Sequence, residues 1–165
     1  MKEATPIGQP AEASEEKATV ALLTPLPNGK VLAALCSLNS IGGKVIETGA
    51  GAFAVLDDTS EGAVDSAGKA ISTFLKDQPM LAMERRGGHI TIHRWSAGEK
   101  GESLSPGFAL DQAPSAITNL MMGTEDIEDF AVTHPDKVHD ANMGRIKAFK
   151  ELRKMAKEAN RREGL

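Results

Sequence analysis

Residues 83–95 read MERRGGHITIHRW and gather side chains suited to holding anions and flat rings. Arg86, His89, His93, Arg94 and Trp95 stand close together there. Arginine holds phosphate, and an indole or imidazole ring stacks on a nucleobase. A metal reading of HITIH fails on spacing. A strand rises about 3.3 Å per residue, so His89 and His93 sit about 13 Å apart, whereas metal–nitrogen bonds are about 2 Å. His134 and His139 flank Pro135 without a cysteine or glutamate at a zinc-site spacing. Asp126 and Asp129 have the i, i+3 spacing to share a divalent ion, but acids in a helix's first turn are already favoured by its dipole.

A second group lies near the carboxy terminus. Lys150, Arg153, Lys154, Lys157, Arg161 and Arg162 are strung along one predicted helix. Lys147–Glu151, Lys154–Glu158 and Glu158–Arg162 are i, i+4 pairs that need no partner. Lys150–Lys154 and Arg153–Lys157 are like-charged at the same spacing, and that repulsion calls for an anion. Residues 144–165 hold eight Lys or Arg against three Glu, a balance of +5, while 125–129, EDIED, carry −4. The net charge of −4 hides this asymmetry.

Signatures of catalysis are absent from the chain. Cys36 sits in the apolar run LAALCSL, where a small buried hydrophobe is expected rather than a nucleophile. The glycines of TGAGAFAVL precede a strand rather than a helix, so no helix amino terminus meets a phosphate and they read as a turn. Asp57-Asp58 reads as a turn at a strand end. No Ser-His-Asp order, HExxH or paired-cysteine motif occurs. The expectation is a protein without enzymatic activity, cofactor or metal.

At 165 residues the chain is long enough for one domain with appendages and a real core. Aromatic residues make up 4 %, with no tyrosine, so that core must be built from aliphatic side chains. A single cysteine excludes an internal disulfide and fits a reducing compartment, so a cytoplasmic location is expected. No apolar run approaches the roughly 18 residues that cross a membrane.

These patterns divide the sequence into four zones. Residues 1–17, rich in Pro, Ala, Glu and Ser, read as a disordered acidic leader. Residues 18–96 read as an α+β core domain, 97–113 as a linker, and 114–165 as a helical extension ending in the basic helix. ATVALLTPL, GKVIETG and AFAVLDD read as strands. SEGAVDSAGKAISTFLKDQ reads as a helix with Ala63, Val64, Ala67, Ile71, Phe74 and Leu75 inward. Residues 30–40 have two readings. Asn28-Gly29 is a strong hairpin signal and tips the choice to strands. The Ala/Leu content and the stripe Val31, Leu32, Leu35 and Leu38 favour a helix.

In the opening hairpin, a Gly87-Gly88 turn sets Arg86 opposite His89, Arg85 opposite Ile90, Glu84 opposite Thr91 and Met83 opposite Ile92. Leu81, Met83, Ile90 and Ile92 then face the core, with Arg85 and Arg94 at the ends of that face. Ala82, Glu84, Arg86, His89, Thr91, His93 and Trp95 face solvent. In the final helix, Ile146, Phe149, Leu152, Met155 or Ala156, and Ala159 form a narrow apolar stripe.

The expected fold is α+β, an antiparallel sheet of hairpins with one packed helix and a helical carboxy-terminal extension. With a helix at 30–40, the order becomes the alternative, a ferredoxin-like arrangement with an added strand. The expected function is non-catalytic binding of single-stranded nucleic acid, as an accessory to transcription or replication. Arg86, His89, His93, Arg94 and Trp95 form its platform, and the carboxy-terminal cations attract phosphate. The rival reading is a structural or adaptor protein that oligomerises through its last helix, whose basic residues meet an acidic patch such as EDIED on a neighbouring subunit. Expected partners are single-stranded nucleic acid, further copies of the chain and a protein bound by the acidic leader, with no membrane.

Overall fold

The computed structural model describes residues 18–163, and of the last helix the side chains of 146–158. The disordered leader expected over 1–17 lies outside the described residues. In chain order the elements are β1 (Thr19–Leu23), α1 (Gly29–Leu38), β2 (Gly43–Thr48), β3 (Gly51–Leu56), α2 (Ala63–Leu75), β4 (Met80–Arg86), β5 (His89–Ser96) and β6 (Glu99–Leu104). Three short helices follow, α3 (Pro106–Asp111), α4 (Ser115–Met122) and α5 (Ile127–Thr133). A 3-10 turn at Pro135–Lys137, strand β7 (Val138–Asp140) and helix α6 (Arg145–Glu163) complete the fold.

The fold is α+β, with a sheet of order β6-β5-β4-β1-β3-β2-β7 and every pairing antiparallel. Its centre, β4-β1-β3-β2, is the ferredoxin-like order, and β5, β6 and β7 extend it at both edges. The hairpin favoured for residues 30–40 is therefore corrected to the helix α1. Asn28 does not turn the chain back. Its side chain accepts the Lys30 N–H at 2.8 Å and caps α1 instead. The helix wins because its Ala/Leu run covers the sheet: Leu32, Ala33, Leu35 and Cys36 are buried with Val20, Leu22, Val45 and Ala54.

The expectation of one packed helix is also corrected. Two helices, α1 and α2, cover one face of the sheet, and α6 docks on α1. On the opposite face α3, α4 and α5 cover Ala21, Ile46, Phe53, Met83 and Ile92 with Leu110, Ile117, Leu120, Met121 and Phe130. The helices after residue 114 thus share a core with the sheet. Residues 97–113, expected as a linker, instead carry β6 and α3. Phe74, expected inside, is 48 % exposed, while Ala63, Ala67, Ile71 and Leu75 make the buried line of α2.

Both sheet edges are poor templates for a further strand. β6 exposes Glu99, Lys100 and Glu102, and β7 is only three residues long. Charge and brevity both disfavour edge-to-edge pairing.

Candidate functional site

The β4–β5 hairpin has the register its alternation predicts: Arg86 pairs with His89, Arg85 with Ile90, Glu84 with Thr91 and Met83 with Ile92. Gly87 and Gly88 take φ of 60° and 83°, the left-handed pair that a two-residue turn needs. Met83 and Ile92 are buried beneath α3–α5, as expected of the inward face.

The other face departs from expectation. Its middle opens as a cleft of about 310 Å³ between the sheet and the start of α2. Ala82, Glu84, Thr91, His93 and Trp95 line its sheet side, Glu61, Val64 and Asp65 come from the α2 side, and Arg86 and Lys100 stand at its margins. Trp95 is corrected from a solvent-facing ring to a core residue, 5 % exposed. It packs under α2 at Gly68, where an added Cβ would stand 2.8 Å from the indole Cε2. Only glycine lets helix and indole approach so closely. The indole Nε1 is buried without a hydrogen-bond partner. A ring held this way offers no stacking face.

The cations of the cleft are committed as well. Arg86 forms an ion pair with Glu84 at 2.7 Å and donates to the Thr59 carbonyl at 2.7 Å. Lys100 meets Asp65 at 3.2 Å. Glu61, Asp65 and Glu84 outnumber Arg86 and Lys100 around the cleft, so its field does not favour a polyanion. His89 is exposed beside the turn and stands outside the cleft lining. Arg94 alternates to the opposite face of the sheet. The structure therefore brings Arg86, His93 and Trp95 together, and leaves His89 and Arg94 apart from them.

Several other titratable groups serve the fold. Glu47 accepts the Gly29 N–H at 2.8 Å, the first of α1, and meets His139 Nε2 at 3.1 Å. His134 stacks on Phe130 with ring centroids 4.5 Å apart. Asp58 accepts the Ser60 hydroxyl at 2.6 Å and backbone N–H at 3.0 Å, bonds that hold its carboxyl below the ordinary value, in the turn expected there. Cys36 is buried, and desolvation pushes its thiol up to about 12, which suits a small core residue and not a nucleophile. Among the described residues no group of three His, Cys, Asp or Glu side chains is placed to hold a metal ion, and no helix is long and apolar enough to cross a membrane.

Helix α6 is the contrasting surface. Its docked face is Ala148, fully buried, with Leu152 and Met155 half-buried below it. The Ser37 hydroxyl anchors the approach to this helix, donating to the Ala141 carbonyl and accepting the Met143 N–H at 3.3 Å. Ile146 and Phe149, expected on the docked stripe, are instead 75 % and 53 % exposed. A residue turns about 100° around an α-helix, so steps of three drift about 60° each time. The series 146, 149, 152, 155 therefore winds around the helix, and only its later members meet α1.

Lys150, Arg153 and Lys157 share the outer face with Ile146 and Phe149, while Lys147 and Lys154 lie on the flank with Glu151 and Glu158. All five cations are exposed. Among the described residues the ion pairs are Arg86–Glu84, Lys100–Asp65 and His139–Glu47, so none of these five cations has a carboxylate partner there. Arg153 lies over the Phe149 ring, 5.8 Å from its centroid. The side chains of Arg161 and Arg162 lie outside the described residues. The outer stripe was missed in the sequence because both stripes share one apolar pattern, although Ala148, flanked by Lys147 and Phe149, marks the close approach to α1.

Scans against protein-family models, curated proteins and solved structures found no match to this chain.

Proposed function

We propose that this chain is a non-catalytic structural or adaptor protein that oligomerises through the outer face of α6. One observation carries the reading: α6 has already docked one apolar face on α1, yet presents Ile146 and Phe149 to solvent, at 75 % and 53 % exposure, among cations that have no carboxylate partner among the described residues. Covering an apolar side chain of this size contributes about 1.5–3 kcal/mol. Phosphate contacts would use the cations and leave the apolar pair wet, whereas a protein seam uses both, since aromatic residues and arginine are enriched in such seams. The blunted sheet edges leave strand pairing a poor route to assembly.

Single-stranded nucleic-acid binding remains a second reading, supported by Lys150, Arg153 and Lys157 on α6, which have no carboxylate partner among the described residues. It loses its ring platform with Trp95, so it reduces to phosphate attraction, which is steeply salt-dependent.

The discriminating experiment measures native mass against concentration for the full chain and for Phe149→Glu. Each is also titrated with a single-stranded oligonucleotide at two salt concentrations. The adaptor reading expects concentration-dependent mass that Phe149→Glu removes. A monomer that binds oligonucleotide with affinity falling steeply in salt overturns it in favour of the second reading.

A further inference from the structure

We infer that the surface met by the outer face of α6 is the acidic corner around Glu125–Asp129 of a second copy of this chain, so that copies associate head to tail. The inference rests on the adaptor reading and adds its counter-surface.

The corner lies where α4 passes into α5. Asp126, Glu128 and Asp129 are exposed and Glu125 half-exposed. Met122, 52 % exposed, and Val132, 79 % exposed, flank them. Glu128 and Val132 are four residues apart on α5, hence on one face. Arg85 is the cation among the residues lining the hollow beside this corner, close to Gly123, and it leaves the corner acidic. Each surface thus joins exposed apolar side chains to charge of one sign, and the two signs are opposite.

The two surfaces cannot meet within one molecule. α6 packs on α1, on one face of the sheet, whereas Phe130 anchors α5 in the core on the other face. A symmetric seam is disfavoured too. In an isologous contact the same patch meets itself, setting Lys150, Arg153 and Lys157 against their own copies, and like charges so placed repel. A heterologous contact pairs opposite charges and leaves one free surface of each kind, so it continues into a chain or closes into a ring.

The proportions of α6 fit this role. It spans about 28 Å against about 15 Å for α1. Beyond Met155 the described side chains, Ala156, Lys157 and Glu158, are all exposed. A helix that outruns its support gains most from a partner, because helix stability in proteins comes chiefly from packing.

The test uses the full chain, Phe149→Glu, and the double variant Glu125→Lys/Glu128→Lys, with circular dichroism confirming that each folds. Glu128→Gln is a milder corner variant should the double change unfold α5. Mass is read by sedimentation against concentration and salt. The expected result is wild-type assembly that weakens as salt rises, at least a tenfold loss of association in each variant alone, and a dimer when the two variants are mixed. Mixing restores one good contact only if α6 of one copy meets the corner of another.

Loss of assembly in Phe149→Glu but not in the corner variants overturns this inference and leaves the α6 reading standing. A mixture that stays monomeric overturns head-to-tail docking. A wild-type chain that is monomeric throughout, or assembly untouched by either change, overturns the inference and the reading beneath it.

Discussion

The cleft beside Trp95 and the outer face of α6 have similar ingredients, an aromatic ring among cations, and opposite fates. In the cleft the ring is roofed by α2 and both cations are tied to carboxylates. On α6 the ring is half in solvent and the cations lack carboxylate partners among the described residues. Residue type by itself does not make a binding surface. What matters is whether the fold has already used those residues.

The largest expected effect is at the covered ring. Trp95→Ala should cost about 3–5 kcal/mol of folding stability, the range for emptying a large aromatic from a core, as read by urea denaturation. A variant that stays as stable as the parent would break the comparison by returning Trp95 to the surface. Trp95→Phe should cost less, below about 2 kcal/mol, because it also removes a buried N–H that lacks a partner.

Next comes the attachment of α6. Ser37→Ala leaves the Ala141 carbonyl and the Met143 N–H without this hydroxyl, and should cost about 1–3 kcal/mol. Hydrogen exchange should report faster opening of α6 than of the β4–β5 hairpin in this variant.

The ion pair at the cleft margin is partly exposed, its side chains 37 % and 22 % accessible for Arg86 and Glu84. Arg86→Ala should therefore cost no more than about 1 kcal/mol in chemical denaturation, given solvent screening. A loss well above that would make the cleft a stronger structural centre than its exposure implies.

The smallest effect on stability is expected at the outer face of α6. Phe149→Ser should shift folding stability by about 0.5 kcal/mol or less, as surface changes do, while weakening association. A cost comparable to that of Trp95→Ala would place Phe149 in the core and end the contrast.

Much of the sheet was legible in the sequence. The Gly87-Gly88 turn and the alternation of 81–95 gave the observed hairpin register, because side chains in a strand repeat every two residues and the turn sets the pairing. The strands at 19–23, 43–48 and 51–56 and the helix from Ala63 followed from the same kind of pattern. Residues 30–40 were misread because Asn28-Gly29 serves a turn and a helix cap equally well, and only contact with Val20, Leu22 and Val45 decides between them. The candidate site was less legible. Sequence placed Arg86, His93 and Trp95 on one face correctly, but alternation does not say what covers that face.

Sequence alone determined the hairpin and its turn, the largely aliphatic makeup of the core and the concentration of positive charge in the last helix. These are properties of neighbouring residues, set by backbone geometry and composition. Packing between distant elements set α2 over Trp95, with Gly68 admitting the ring, and docked α6 on Ala148 and Leu152 rather than on Ile146 and Phe149. Burial is a relation between surfaces distant in the chain, so its free energy is fixed only when those surfaces meet.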